Sequence, residues 1–324
     1  MQNLEYMYFE LVGNSVLPII ALVLIGFVLK RFNFPSPEFW QGGEKLSYYV
    51  LFPMLFFNIT ANYKFNEYSF SNLMFSITCS ILAVHFIFYF LTFFVKDKFK
   101  PALTSIYQGS FRFNGSMAFA MFLALFGMKG QAFIALISCF TIPLTNSLCI
   151  YFLARNGNHG KKVDTLFLVR EVAVNPLLVF TLLGFFINLM GVKIPSLPQN
   201  IINQIVPITI PFSLIVLGSA LKFGHIARNL KGVSLALASK FILYPLIIYL
   251  VATQGFGIEG EELKMLMLFS LLPCATAAYL FASKLGGDKD LMASIIFMQL
   301  IFSMIFIIIF LKLTSGIVPD GVLV

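Results

Sequence analysis

A chain of 324 residues that is 59% hydrophobic and only 11% charged cannot be a water-soluble domain, because a soluble surface needs about 25% charged residues. Uncharged runs of membrane-spanning length recur from end to end, so the chain reads as an all-α polytopic membrane protein; the ten-residue alternating strands of an outer-membrane barrel are absent. The formal charge of +8 is scattered over loops that alternate along the chain, which is topology information and excludes a nucleic-acid footprint.

Glu5 and Glu10 precede the first apolar run and no Lys or Arg does, so no cleaved signal peptide is expected. Ten spans follow, at roughly 15–32, 44–61, 70–95, 102–127, 131–153, 165–190, 200–221, 230–253, 263–284 and 291–313. Alternate loops carry 14 cations on one side (Lys30, Arg31, Lys45, Lys96, Lys98, Lys100, Arg155, Lys161, Lys162, Lys222, Arg228, Lys231, Lys284, Lys289) and five on the other (Lys64, Lys129, Lys193, Lys264, Lys312). The positive-inside rule then puts both termini outside the cytoplasm, in a multi-pass protein of the cytoplasmic (inner) membrane. Residues 154–164, with Gly157, Asn158 and Gly160, read as a cytoplasmic linker, and the tail 316–324 as frayed.

An internal repeat runs through the chain at an offset of 158 to 160 residues. Leu17-Pro18, Gly26-Phe27 and Pro35-Ser36-Pro37 answer Asn175-Pro176, Gly184-Phe185 and Pro195-Ser196-Leu197-Pro198. Pro53 answers Pro211, Phe113-Asn114 answers Leu272-Pro273, and Phe126-Gly127 answers Leu285-Gly286. Five spans per copy is an odd number, so the copies, 1–153 and 165–324, must insert in opposite directions. Inverted repeats with corresponding interrupted spans imply a secondary transporter whose substrate binds near the midplane, where two broken helices cross. The breaks fall in spans four and nine.

Span four holds Ser110-Phe111-Arg112-Phe113-Asn114-Gly115-Ser116, a stretch too polar for a lipid-facing helix. Asn114 and Gly115 suit a point where the helix unwinds, and the half-helix starting there offers free N–H groups and a positive dipole end to an anion; alternatively, Asn114 hydrogen-bonds two helices together. Arg112 costs about 2.5 to 3.5 kcal/mol in the membrane unless paired or hydrated. Its partner is either a substrate carboxylate or the carbonyls of the unwound segment. Span nine carries Pro273, Cys274, Ala275, Thr276 and Ala277, where proline removes a helix hydrogen bond and small residues let another backbone approach. Pro53, Asn58, Thr60, Pro207, Thr209, Pro211 and Ser213 supply polarity and kinks for a cavity wall in spans two and seven. Lys240 is either a fixed counter-charge for the anion or a snorkelling side chain, and His85 a core histidine or a proton relay.

No enzyme pattern emerges: histidine occurs only at 85, 159 and 225, and there is no H-E-x-x-H, no pair of acids inside a span and no phosphate loop. The four cysteines lie in apolar runs and read as unpaired structural thiols. No cofactor or metal is expected. Asp97, Asp164, Asp288, Asp290 and Asp320 all fall in loops or the tail, which argues against a buried-aspartate cation site.

The motifs Leu17-Pro18-Ile19-Ile20, Phe52-Pro53-Met54-Leu55-Phe56-Phe57-Asn58, Phe111-Arg112-Phe113-Asn114-Gly115-Ser116, Asn175-Pro176, Leu217-Gly218-Ser219-Ala220-Leu221 and Leu272-Pro273-Cys274-Ala275 together resemble a bacterial member of the auxin efflux carrier family, within the bile-acid, arsenite and riboflavin transporter superfamily. The resemblance implies ten transmembrane helices in two inverted five-helix repeats, with spans 1, 2, 6 and 7 as scaffold and spans 3–5 and 8–10 as an elevator-type transport domain. It implies a small organic anion as substrate, a mono- or dicarboxylate of the auxin, malate or malonate kind. Asn114 matches the asparagine that faces the substrate carboxylate in relatives, Asn58 a polar wall position, and Gly115, Ser116, Arg112, Pro273, Thr276 and Ala277 complete the expected site. This chain reads Ala118 where many relatives have proline, and Ala278 where plant exporters have a second one. Proton coupling and a homodimer stay open, as do a sodium-coupled bile-acid-type symporter and a non-transporting sensor.

Overall fold

A computed structural model describes residues 13–62, 70–157, 174–221 and 229–314. Most of the linker 154–164, the loop cations Lys64, Lys161, Lys162, Lys222 and Arg228, and the tail lie outside the described residues. All regular structure among the described residues is helical. Among the described residues, six helical stretches are long and apolar enough to cross a membrane. One of them, Asp97–Asn156, has 60 residues; straight, it would measure about 90 Å, three times a hydrocarbon core of about 30 Å. It must therefore interrupt itself, and it does so at residues 112–114 and again at Gly127, whose φ of 56° turns the chain back.

The elements in order are α1 (Leu17–Arg31), α2 (Pro37–Leu46), α3 (Phe52–Asn62), α4 (Phe70–Leu91), α5 (Lys100–Phe111), α6 (Gly115–Asn156, bent at Gly127), α7 (Pro176–Leu189), α8 (Ser196–Ala220), α9 (Leu230–Ala238), α10 (Tyr244–Leu250), α11 (Gly260–Ser270), α12 (Ala277–Leu285) and α13 (Lys289–Thr314). Single π-helical turns join α2 to α3 at Ser47–Leu51 and α9 to α10 at Ser239–Leu243. α1 starts with Pro18 in its first turn and ends with Lys30 and Arg31, cations that complement the negative end of its dipole. Ser36 caps α2 by accepting from the Phe39 N–H at 3.3 Å.

Helices α1, α3, α7 and α8 pack as two crossed pairs, α1 on α8 and α3 on α7. Lipid tails are as apolar as leucine, so helices in a membrane associate through close backbone approach and hydrogen bonds. Gly26 permits the first crossing: a Cβ there would stand 1.8 Å from the Ile215 carbonyl oxygen, and one on Gly218 1.9 Å from that of Val23. Gly184 permits the second, where a Cβ would lie 2.3 Å from Thr60 Oγ1. Thr60 Oγ1 reaches the Thr181 carbonyl at 3.1 Å, and Asn188 Nδ2 donates to the Ala61 carbonyl at 2.9 Å. A second group forms where α5 packs on α9, α12 and α13, and α4 on α10. Between the groups lies the first half of α6, whose Phe119 sits against Phe56 of α3 at 4.9 Å between ring centroids.

Candidate functional site

The two interruptions meet inside the second group. α5 ends at Phe111; Arg112 (φ −63°, ψ 150°) and Asn114 (φ −88°, ψ 114°) are extended, and α6 starts at Gly115. α11 ends at Ser270, just before Pro273, whose ring disfavours helix in the residue preceding it; α12 begins at Ala277. The Asn114 N–H donates to the Pro273 carbonyl at 2.8 Å, so the two breaks are hydrogen-bonded to each other.

Asn114 also caps α6. Its Oδ1 accepts from the Met117 N–H at 3.1 Å, as the N-cap of a helix should. With the oxygen held in this way, the amide nitrogen is the end left to donate. Thr276, in the corresponding position of α12, makes no side-chain cap. The first N–H groups of α6 and α12 have no i−4 carbonyl within their own helices, and the dipole of each half-helix is positive at that end.

Breaking a helix inside a membrane orphans backbone groups that water cannot satisfy, at several kcal/mol each. Here side chains from α13 and the α9–α10 turn reach in to satisfy them. Gln299, fully buried in α13, accepts from the Cys274 N–H through Oε1 at 3.0 Å; its Nε2 donates to the Gly109 carbonyl at 2.8 Å and lies 3.5 Å from that of Ala236. Ser303 Oγ donates to the Leu271 carbonyl at 2.6 Å. Lys240 Nζ, fully buried, donates to the Arg112 carbonyl at 3.1 Å, satisfying a carbonyl at the C-terminal end of α5. A Cβ on Gly109 would meet Ile295 at 2.8 Å, so the absent side chain is what lets α5 lie against α13.

A cavity of about 420 Å³ opens beside the crossing. Arg112, Asn114, Gly115 and Ser116 line it from the first break, and Ala275, Thr276 and Ala277 from the second. Phe52, Phe56 and Phe119 form an apolar wall; Ser47, Ser138 and Asn146 add polar groups. Arg112 is 4% exposed, with its guanidinium carbon 4.7 Å from the Phe281 ring centroid. Among the described residues its Nε and Nη1 have no hydrogen-bond partner, though the guanidinium also bonds Cys149, and the buried hydroxyls of Ser47 and Ser138 have none either.

Six of the expected site residues thus share this cavity: Arg112, Asn114, Gly115, Ser116, Thr276 and Ala277. Pro273 stands behind it as the acceptor for Asn114. Asn58 does not line it; its Oδ1 accepts from Gln199 at 2.9 Å and from Asn62 at 3.1 Å. Of the other expected wall residues, Ser213 lines the cavity, while Thr60 and Thr209 bond neighbouring carbonyls within the helix packing. His85 lies outside the cavity, its Nδ1 2.8 Å from the Tyr107 hydroxyl. All four cysteines are free thiols. Gln299 and Ser303 escaped the sequence reading. The available signal was weak: Gln299 is the one side-chain amide of a 26-residue apolar helix, where any strong hydrogen-bonding group asks for a partner.

Discontinuous helices meeting beside a cavity that sets a few polar groups in a largely apolar wall, within a bundle of apolar helices, define a membrane transporter. The chain belongs to the membrane transport protein family, that of the auxin efflux carriers, whose model matches residues 11–311. A protein of Rhizobium meliloti (strain 1021) named "Putative malonate transporter" is 21% identical over 278 residues, covering 85% of this chain and 87% of the relative. The "Uncharacterized transporter YfdV" of Escherichia coli (strain K12) is 26% identical over 283 residues, or 84% and 87% of the two chains. The "Uncharacterized transporter MJ1031" of Methanocaldococcus jannaschii is 25% identical over 307 residues, or 91% and 96%.

Proposed function

We propose that this protein is a secondary active transporter of a small organic anion, a mono- or dicarboxylate, held at the crossing by the Asn114 amide and the N-termini of α6 and α12, with Arg112 as its charge partner. The observation that carries the reading is the Asn114-to-Pro273 hydrogen bond, which joins two half-helix N-termini beside one cavity. Such ends stabilise a carboxylate without any bound cation. The Arg112 guanidinium, with Nε and Nη1 unpartnered among the described residues, adds a positive charge able to donate to a carboxylate. The name of the Rhizobium relative points the same way.

The account includes ten transmembrane helices in two inverted five-helix repeats, 1–153 and 165–324, joined by the linker 154–164. Two kinds of contact support it. Residues one repeat offset apart touch at two places, as they must on a two-fold pseudo-axis: Asn114 with Pro273, and Thr209 Oγ1 with the Leu51 carbonyl at 3.4 Å, a separation of 158 residues. Partners also exchange: Gly26 makes α1 touch α8, and Gly184, also 158 residues on, makes α7 touch α3. In this account α1, α3, α7 and α8 form the scaffold. The crossing moves past them with α4 to α6 and α9 to α13, giving elevator-type alternating access in the cytoplasmic membrane with both termini outside the cytoplasm.

The test is a thermal-shift screen of acetate, malonate, succinate and malate against the purified protein, followed by uptake of the stabilising anion into proteoliposomes. A ligand at 100 times its dissociation constant adds about 2.7 kcal/mol of stability. Stabilisation and uptake by one of the acids, retained when choline replaces sodium, is the expected result. Strict sodium dependence would favour a bile-acid-type symporter instead, and binding without flux would favour a sensor.

A further inference from the structure

A second cavity, about 810 Å³, adjoins the first and shares Glu44, Tyr48, Tyr49, Thr276, Ala277 and Leu280 with it. It opens toward the ends of α1, α2 and α12, and each of these elements contributes a lysine to its wall: Lys30, Lys45 and Lys284. None of the three is in an ion pair among the described residues. Glu44 is the one carboxylate in the lining. Glu38 lies outside it but near Lys30; its carboxyl is held below the usual carboxylate range by a backbone N–H of its own helix start, by Ser36 and by Lys30, so it stays charged and offsets part of that lysine's field. Three lysines against the single lining carboxylate Glu44 give the cavity an excess of positive charge among the described residues. Trp40 also lines this cavity; it is 6% exposed, and its indole N–H has no acceptor among the described residues.

We propose that this second cavity is an anion-collecting vestibule, in which Lys45 and Lys284, helped by Lys30, hold the incoming carboxylate before it passes to the crossing. The inference rests on the transport reading above and adds to it a second binding position on one side of the membrane. A cleft with low-dielectric walls and an excess of one sign of charge focuses its field and concentrates counter-ions. The three lysines come from three separate elements and face one space that leads to Thr276 and Ala277 of the crossing. Lysines that served only to orient the chain in the membrane would have no need to converge on that space.

Trp40 is the sole tryptophan of the chain and lines the second cavity but not the first, so its emission reports on the second. The experiment titrates the full-length purified protein with malonate, with uncharged malonamide as control, at low and high salt. Wild type is expected to give a saturable change with malonate only. The half-saturation should rise about tenfold in K45Q/K284Q, and by a similar factor on going from about 0.05 M to 1 M salt, where the Debye length shrinks to about 3 Å. Asn114→Ala should leave the Trp40 response in place. A response in wild type that is lost with the lysines, together with no malonate flux, would retain the vestibule and sink the crossing as a malonate site. No response to malonate, an unchanged half-saturation in K45Q/K284Q, or a response only to phosphatidylglycerol vesicles would overturn the proposal.

Discussion

The two breaks solve the same physical problem by different means. The first is three residues long and, although Lys240 and Gln299 also reach carbonyls there, it has a side-chain organiser of its own: Asn114 caps α6, donates its N–H to Pro273 and leaves its amide nitrogen beside the cavity. The second spans residues 271–276, carries no side-chain cap at Thr276, and is held from outside by Gln299 and Ser303 of α13. One break thus carries side-chain chemistry, while the other offers mainly main-chain groups and depends on a neighbouring helix for its shape. Substitutions on the two sides should therefore fail differently.

The largest effect is expected from Gln299→Leu. It orphans the Cys274 N–H and the Gly109 carbonyl together, at about 1–3 kcal/mol for each buried group. Both the melting temperature and transport should fall, and a variant that melts like wild type would remove Gln299 from its bracing role. Next comes Arg112→Gln, which takes away a charge whose Nε and Nη1 have no partner among the described residues. KM for the transported anion should rise about tenfold or more, the weight of a charge-assisted hydrogen bond of about 1.5–3 kcal/mol, while the melting temperature holds. A large fall in melting temperature with KM unchanged would instead make Arg112 structural. The smallest effects belong to Thr276→Val, less than about threefold in KM because the side chain caps nothing, and to Asn58→Ala, which sits outside the cavity. Both should be measurable by uptake at substrate concentrations spanning KM: the second break acts through its main chain, and the Asn58 amide is engaged with Gln199 and Asn62 away from the cavity.

The positions of the breaks were legible in the sequence because Asn114 with Gly115, and Pro273 with its small neighbours, are local violations of helix chemistry inside apolar runs. The paired glycines Gly26 and Gly184 were legible through the repeat offset, and both permit close backbone contact. The faces of the helices were not legible. In a bilayer, a span is apolar toward lipid and toward protein alike, so periodicity does not say which way a residue points. Asn58 was expected in the cavity wall for that reason and instead bonds Gln199 and Asn62. Lys240 shows the same limit: its charge invited a role toward the anion or toward the interface, whereas its partner, the Arg112 carbonyl, exists only because the helix breaks there. Gln299 bridges groups far apart in the chain, 25 residues from Cys274 and 190 from Gly109, and no local pattern announces such a partner.

The central claim is that the first break holds the carboxylate. It is tested most directly by uptake of the stabilising anion into proteoliposomes bearing wild type or Asn114→Ala, matched for inserted protein. Loss of the cap costs about 1 kcal/mol, which leaves the variant folded; uptake should nonetheless fall to background. Wild-type uptake by folded Asn114→Ala would contradict the account.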